Sequence, residues 1–174
     1  DKYGFVKITE DKRNFEYSDG TPFFWLGDTN WQAPNYIQTD KCNYPGCKCG
    51  NQFKHEVDNR KAKGFTVYQT YFDSGVSDGG GQRGILPSIW KKNYTQPATD
   101  VFNKKIDYMF EYLYQSGMVV ALGLGVHRST ANAISETDLL RFTRYIVARY
   151  SCYSICWITG QEINNTEDAG KTPG

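Results

Sequence analysis

The stretch FFWLGDTNW, from Phe23 to Trp31, is an apolar run that ends in a glycine and a carboxylate. Continuous apolar runs are typical of strands buried on both faces, as in parallel sheets. A strand is therefore predicted over residues 23–29. A dinucleotide-binding fold would carry G-x-G-x-x-G in the turn after this strand, and GDTNW does not match that pattern. The stretch thus favours a parallel sheet whose first strand ends at Asp28.

Three more apolar strands follow, each separated from the last by a predicted helix. They are FTVYQTYF (65–72), MVVALGLG (118–125) and SICWITG (154–160). Strands that alternate with helices form a parallel sheet with helical crossovers. The two candidate folds are a doubly wound sheet and a (β/α)8 barrel, and the missing dinucleotide pattern favours the barrel.

The helices between these strands carry their own start and stop signals. Residues 51–64 and 100–117 each show an apolar face and end in a glycine. A capping box of Ser135 and Asp138 predicts the start of the third helix. The predicted apolar stripe of that helix is Leu139, Phe142, Ile146 and Val147.

The segment before the first strand predicts a β-hairpin over residues 5–17, followed by a turn at Asp19-Gly20. The predicted fold class is therefore α/β: a (β/α)8 TIM barrel with its first four βα units present, preceded by an N-terminal hairpin. Residues 1–174 would form the N-terminal half of a single barrel domain. Within it, residues 1–20 hold the hairpin and residues 21–174 hold strands 1–4 and their helices.

Composition excludes several classes of partner. The 174 residues include 20 basic and 19 acidic side chains, for a formal net charge of +1. This balance provides no electrostatic reason to expect nucleic acid or an anionic membrane. No apolar run reaches the roughly 18 residues that a membrane span needs. The glycine-rich stretches LGLG and DGGGQRG lack the following Lys-Ser/Thr of a phosphate loop. No cofactor and no metal is predicted.

The cysteines and glycosylation sequons predict an extracellular or secreted protein. The five cysteines are Cys42, Cys47, Cys49, Cys152 and Cys156. The first three lie in KCNYPGCKCGN, where a disulfide staple is favoured over a metal knuckle because no zinc-like spacing completes a ligand set. Cys152 and Cys156 flank the start of the fourth strand, and one of them is a candidate for pairing outside the chain. Asn93 and Asn164 begin acceptor sequons. Asn93 is the better acceptor, and an enzyme is expected to leave Asn164 unmodified because it lies near Glu162.

Polar residues cluster where the predicted strands end. In barrels, the chemistry lies at the carboxyl ends of the strands. The candidates at those ends are Asp28, Gln69, Tyr71, His127, Gln161 and Glu162. Glu162 is the candidate general acid, because the apolar residues before it would raise its pKa. His127 is expected to bind substrate rather than to transfer protons, and Trp31 with Tyr71 would form a platform for a sugar ring.

Four blocks in order carry a resemblance to a known family. They are DGTPFFWLGDTNW, NRKAKGFTVYQTYF, YLYQSGMVVALGLG and YIVARYSCYSICWITGQE. The sequence resembles the apiosidase-like glycoside hydrolases, which are (β/α)8 enzymes that cleave glycosidic bonds in polysaccharides. The family's fourth strand typically ends in Trp-x-x-Gly-Gly-Asp. WITGQE keeps Trp157 and Gly160 and places Glu162 at the carboxylate position, so the resemblance implies an acid/base role for Glu162. It implies a substrate-binding role for Asp28.

The resemblance implies a secreted glycoside hydrolase acting on a glycan or polysaccharide. A closed barrel needs eight strands and about 250 residues. The second carboxylate of the catalytic pair is therefore expected from a C-terminal half of the barrel or from a second chain. The alternative is a non-catalytic glycan-binding or structural extracellular glycoprotein, which would lack a carboxylate at a later strand end.

Overall fold

A small antiparallel sheet precedes the main sheet in the computed structural model, which describes residues 4–31, 33–40, 50–72, 96–124 and 135–159. Strands β1 (Val6–Ile8) and β2 (Phe15–Tyr17) pair with Val6 opposite Tyr17, so the predicted hairpin is present. A third strand, β3 (Pro22–Phe23), pairs with β2.

Four parallel strands form the main sheet. They are β4 (Gly27–Thr29), β5 (Val67–Tyr71), β7 (Val119–Gly123) and β8 (Ile155–Ile158), in the spatial order β4-β5-β7-β8. All three neighbouring pairs are parallel. The predicted direction and order of these four strands are confirmed.

The first predicted strand was too long. Residues 23–29 do not form one strand, because Phe23 belongs to the antiparallel sheet and Phe24 is 75% exposed. The break has a tertiary cause: the Thr66 hydroxyl donates to the Phe24 carbonyl and accepts from the Leu26 amide. The Leu26 amide also lies 3.1 Å from the Phe24 carbonyl, which closes a tight turn.

Helices connect the parallel strands. The remaining elements are α1 (Ala33–Tyr36), α2 (Gln52–Ala62), β6 (Gln96–Pro97), α3 (Thr99–Val101), a π-helix (Phe102–Ile106), α4 (Asp107–Gln115) and α5 (Glu136–Tyr150). The predicted termini are confirmed at three positions. Gly64 and Gly117 adopt positive φ just beyond α2 and α4. The Ser135 hydroxyl accepts the Asp138 amide at the start of α5.

The core lies between the helices and one face of the parallel sheet, which we call the helix-side face. Tyr68, Phe72, Val120 and Leu122 of this face pack in one cluster with buried residues of α2, the π-helix, α4 and α5. A doubly wound sheet carries helices on both faces. The one-sided arrangement in the described chain is instead the one found in barrels.

The buried stripe of α5 differs from the prediction at one position. Val147, predicted in the buried stripe of α5, is 36% exposed, and Tyr150 is buried in its place. The stripe drifts because residues 142, 146 and 150 repeat at i, i+4, i+8 on the face that meets the core.

Among the described residues, no helix combines the length and apolar character needed to cross a membrane.

Candidate active site

The carboxyl ends of β4, β5 and β7 place three side-chain positions next to one another. The register sets Thr29 beside Gln69, and Tyr71 beside Gly123. These residues alternate with the helix-side residues, so they lie on the opposite face of the sheet, which we call the hairpin-side face. The lower part of that face is covered, because Val67, Val119 and Ala121 pack with Phe23 and Trp25. Gln69 and Tyr71, higher on the same face, are only half-buried.

Trp31 and Tyr71 form an aromatic pair at this edge. Their ring centroids are 5.3 Å apart and their planes cross at 78°, an edge-to-face arrangement. The backbone holds the pair, because the Tyr71 amide donates to the Trp31 carbonyl at 3.2 Å. The Thr70 hydroxyl donates to the same carbonyl at 3.3 Å. The two residues predicted as a sugar platform therefore lie together, and Gln69 shares their face.

Gly123 explains how Tyr71 fits. A Cβ atom at position 123 would lie 2.6 Å from the Tyr71 Cβ, a distance that real Cβ contacts do not reach. Tyr71 therefore rests against bare backbone of β7. A side chain at position 123 would move Tyr71 and, with it, the ring facing Trp31.

Asp28 points the other way. It pairs in register with Tyr68, on the helix-side face, and its carboxylate accepts a hydrogen bond from the Arg60 Nε. This hydrogen bond raises the pKa of Arg60. The structure thus separates Asp28 from Gln69 and Tyr71, although all three lie at the same edge of the sheet. Its substrate-binding role stays a prediction.

Glu56 of α2 is a residue of this region that the sequence analysis missed. Its carboxylate accepts both from the Asn30 side-chain amide, at 3.0 and 3.2 Å, and from the Tyr68 hydroxyl at 2.8 Å. Burial, together with the charge of Glu56, holds the pKa of Tyr68 well above its usual value. Because Asn30 precedes Trp31, Glu56 anchors the segment that carries the platform. The available signal was its place beside Phe53 and Val57, the buried i, i+4 pair of α2.

The other predicted site residues lie outside the described part of the chain. These are His127, Gln161, Glu162, Asn93, Asn164, Cys42, Cys47 and Cys49. What the structure does show is that β8 runs parallel to β7 and ends with Ile158 opposite Gly123. The chain thus leaves β8 at the same edge as the Trp31–Tyr71 pair.

The described cysteines give no support to a disulfide. Cys152 and Cys156 are both exposed free thiols. Within the described ranges, no group of three or more His, Cys, Asp or Glu side chains is arranged to hold a metal ion.

Comparison with known proteins identifies the family. The sequence model of the apiosidase-like catalytic domain matches residues 9–172. A comparison with curated proteins finds no match.

Solved structures share the fold. A glycoside hydrolase family 5 protein from Bacteroides vulgatus ATCC 8482 has a TM-score of 0.68 and 21% identity, covering 95% of this chain and 35% of its own. A putative glycoside hydrolase from the same strain has a TM-score of 0.68 and 16% identity, covering 98% of this chain and 34% of its own. Another structure, described only as a glycoside hydrolase, has a TM-score of 0.66 and 20% identity, covering 93% of this chain and 35% of its own. The chain spans about a third of the length of these structures. By its match to the family model, the chain belongs to the apiosidase-like catalytic domain family.

Proposed function

We propose that this chain forms part of a secreted glycoside hydrolase that cleaves a glycan or polysaccharide by carboxylate acid/base catalysis. The observation that carries the proposal is the Trp31–Tyr71 pair, which lies at the carboxyl edge of the parallel sheet next to Gln69. Aromatic rings pack against the C–H faces of sugars. Catalytic groups of barrel enzymes lie at this same edge. Family membership makes glycosidic bonds the substrate class to test first.

Glu162 is the proposed general acid/base. It follows β8 by four residues in the sequence, and β8 ends at the edge that carries the platform. Its role would be to protonate the glycosidic oxygen as the bond breaks. Gln69, Gln161 and His127 would bind the sugar hydroxyls beside it. Asp28, whose carboxylate accepts a hydrogen bond from Arg60, is also proposed to bind substrate.

The remaining strands of the barrel and the second catalytic carboxylate would come from outside this sequence. Among the described strands, β4 and β8 each pair on one side only, so each has one lateral side without a partner strand in the described part of the chain. Unpaired edges are a ready template for further strands. In the proposed enzyme, four more strands close the barrel and one of them carries the second carboxylate.

One observation favours the glycan-binding alternative. The platform and Gln69 supply groups that would hold a sugar, whereas the described carboxylates of this region are engaged: Asp28 by Arg60, and Glu56 by Asn30 and Tyr68. A protein without a second catalytic carboxylate would still bind glycans through these groups. Catalysis must therefore be tested directly.

The test is Glu162→Gln in the full-length protein. If Glu162 is the general acid, activity on natural glycans with poor leaving groups falls by roughly 10²- to 10⁴-fold. The loss is much smaller on activated aryl glycosides, which need little protonation, provided that glycosidic bond cleavage limits the rate. The measurement is kcat/KM on both substrate types. Glu10→Gln, at an exposed turn of the hairpin, is the matched control and keeps full activity.

Two results decide against the proposal. Full activity of Glu162→Gln on a natural glycan would show that another residue is the acid. A full-length protein that binds glycans but hydrolyses none would leave the glycan-binding alternative.

A further inference from the structure

A cavity lies among the helices, between the segment 103–111 and the C-terminal end of α5. Its volume is about 450 Å³, and it is lined by three tyrosines, two carboxylates, an amide and an arginine. None of the lining residues belongs to a strand or to the candidate active site. The cavity therefore needs an explanation of its own.

The polar groups of the cavity form a row along one helical surface. Asn103, Asp107 and Glu111 are spaced at i, i+4 and i+8, which spans about 12 Å at the usual helical rise. The row crosses from the π-helix into α4, and the Asp107 amide bonds to the Phe102 carbonyl five residues earlier. Short π-helical segments occur frequently at functional sites.

Arg149 of α5 is held in a fixed position within the cavity. Its guanidinium donates to both oxygens of Asp107, at 2.9 and 2.5 Å, and to the side-chain oxygen of Asn103 at 2.6 Å. The guanidinium also lies 5.3 Å from the ring centroid of Phe102. Burial raises the pKa of Asp107, but hydrogen bonds from Arg149 and Tyr150 outweigh it and the pKa is lowered. The arginine charge is thus already neutralised by Asp107.

The charge balance of the cavity decides what it can bind. Two carboxylates face one arginine. A negatively charged ligand would meet an excess of negative charge, so uronic acids, sulfated sugars and phosphates are disfavoured. The polar groups remain accessible, with 36% of the Asp107 side chain and 26% of the Arg149 side chain exposed.

The remaining hydrogen-bonding capacity suits hydroxyl groups. Glu111 is exposed, and each of its oxygens has one partner: Gln115 at 2.6 Å and Tyr153 at 3.0 Å. A carboxylate has about four acceptor sites, so it can accept further hydroxyls. The side-chain nitrogen of Asn103 has no partner among the described residues and can donate to a hydroxyl oxygen. Tyr108 and Tyr153, both half-buried, add aromatic surface next to these groups.

We propose that this cavity is a second glycan-binding site, which holds a neutral segment of polysaccharide away from the cleavage site. Sugar hydroxyls would donate to Glu111 and accept from Asn103, while the tyrosines pack against the apolar parts of the ring. The choice of a glycan as ligand rests on the proposed function, whereas binding here requires no hydrolysis. The two proposals can therefore fail independently.

The test uses the full-length protein carrying Glu162→Gln and Trp31→Ala, so that neither cleavage nor the platform contributes to retention. Mobility is measured in native gels containing arabinoxylan, xyloglucan or galactomannan as neutral probes, and polygalacturonate as the anionic probe. We expect retardation by at least one neutral probe and none by polygalacturonate. Adding Asn103→Ala and Glu111→Ala together to this variant weakens the binding of the neutral probe about fivefold or more, as expected for the loss of one or two hydrogen bonds. Lys104→Ala, an exposed neighbour outside the cavity lining, leaves it unchanged.

Other results overturn the proposal. Retardation that survives the Asn103 and Glu111 changes would place the binding elsewhere. No retardation by any neutral probe would exclude a neutral-glycan site.

Discussion

The two faces of the parallel sheet differ sharply, although the same strands build both. On the helix-side face, Phe72 is fully buried and packs on the rings of Phe110 and Phe142. On the hairpin-side face, its neighbour Tyr71 is half-buried and contacts Trp31 at the carboxyl edge of the sheet. Adjacent residues of one segment thus have different tasks. The helix-side residues hold the fold together, and the upper hairpin-side residues Gln69 and Tyr71 stay partly exposed.

The largest effect is expected from replacing each of these two neighbours, Phe72 and Tyr71, by alanine. Phe72→Ala removes a fully buried ring and is expected to lower the free energy of unfolding by about 3–5 kcal/mol. Tyr71→Ala is expected to cost clearly less, because its ring is already partly exposed, yet it should weaken glycan binding. Chemical denaturation of the full-length variants, together with glycan affinity, checks both parts. Equal loss of stability in the two variants would remove the distinction between the faces.

A smaller effect is expected on the hairpin-side face, where Tyr71 rests against the bare backbone of β7. Gly123→Ala places a Cβ against Tyr71 and is expected to cost about 1–3 kcal/mol, the usual range for overpacking. The cost should shrink when Tyr71 is also changed to glycine, since the clash is between the two Cβ atoms. A double-mutant cycle on the free energy of unfolding measures this coupling. Additive effects of the two changes would show that Tyr71 does not rest on Gly123.

The smallest effect concerns pH and the helix-side Tyr68. Its pKa is raised in the folded protein by burial and by the charge of Glu56. The unfolded chain therefore loses the tyrosine proton first, and stability is lost as the pH rises above about 10, the usual tyrosine pKa. Below that pH the contribution is fully present.

Tyr68→Phe tests this dependence. Above pH 10, the free energy of unfolding of the variant should fall less steeply with pH than that of the parent. The two slopes should differ by at most about 1.4 kcal/mol per pH unit, the value for one proton. The comparison of the two unfolding profiles cancels the titration of the other tyrosines. Parallel profiles from pH 9 to 11 would contradict the raised pKa of Tyr68.

Residues whose partners are close in sequence could be predicted. Gly64, Gly117 and Ser135 mark helix ends, and each acts through neighbours within a few residues. The alternation of apolar strands and helices likewise predicted a parallel sheet in the order that the structure shows. In the candidate site, the same alternation predicted that Trp31, Gln69 and Tyr71 meet at one edge.

By itself, the sequence determined the alternation of parallel strands and helices and the edge at which their polar ends meet, because strand and helix periodicity are local properties. Only the tertiary structure decided which distant residues those polar groups contact. Asp28 lies on the helix-side face beside Tyr68, where Arg60, 32 residues later, holds its carboxylate. The predicted first strand breaks because Thr66, 42 residues after Phe24, hydrogen-bonds into it. A local pattern carries no information about such distant partners, since they become neighbours only when the parallel strands pair.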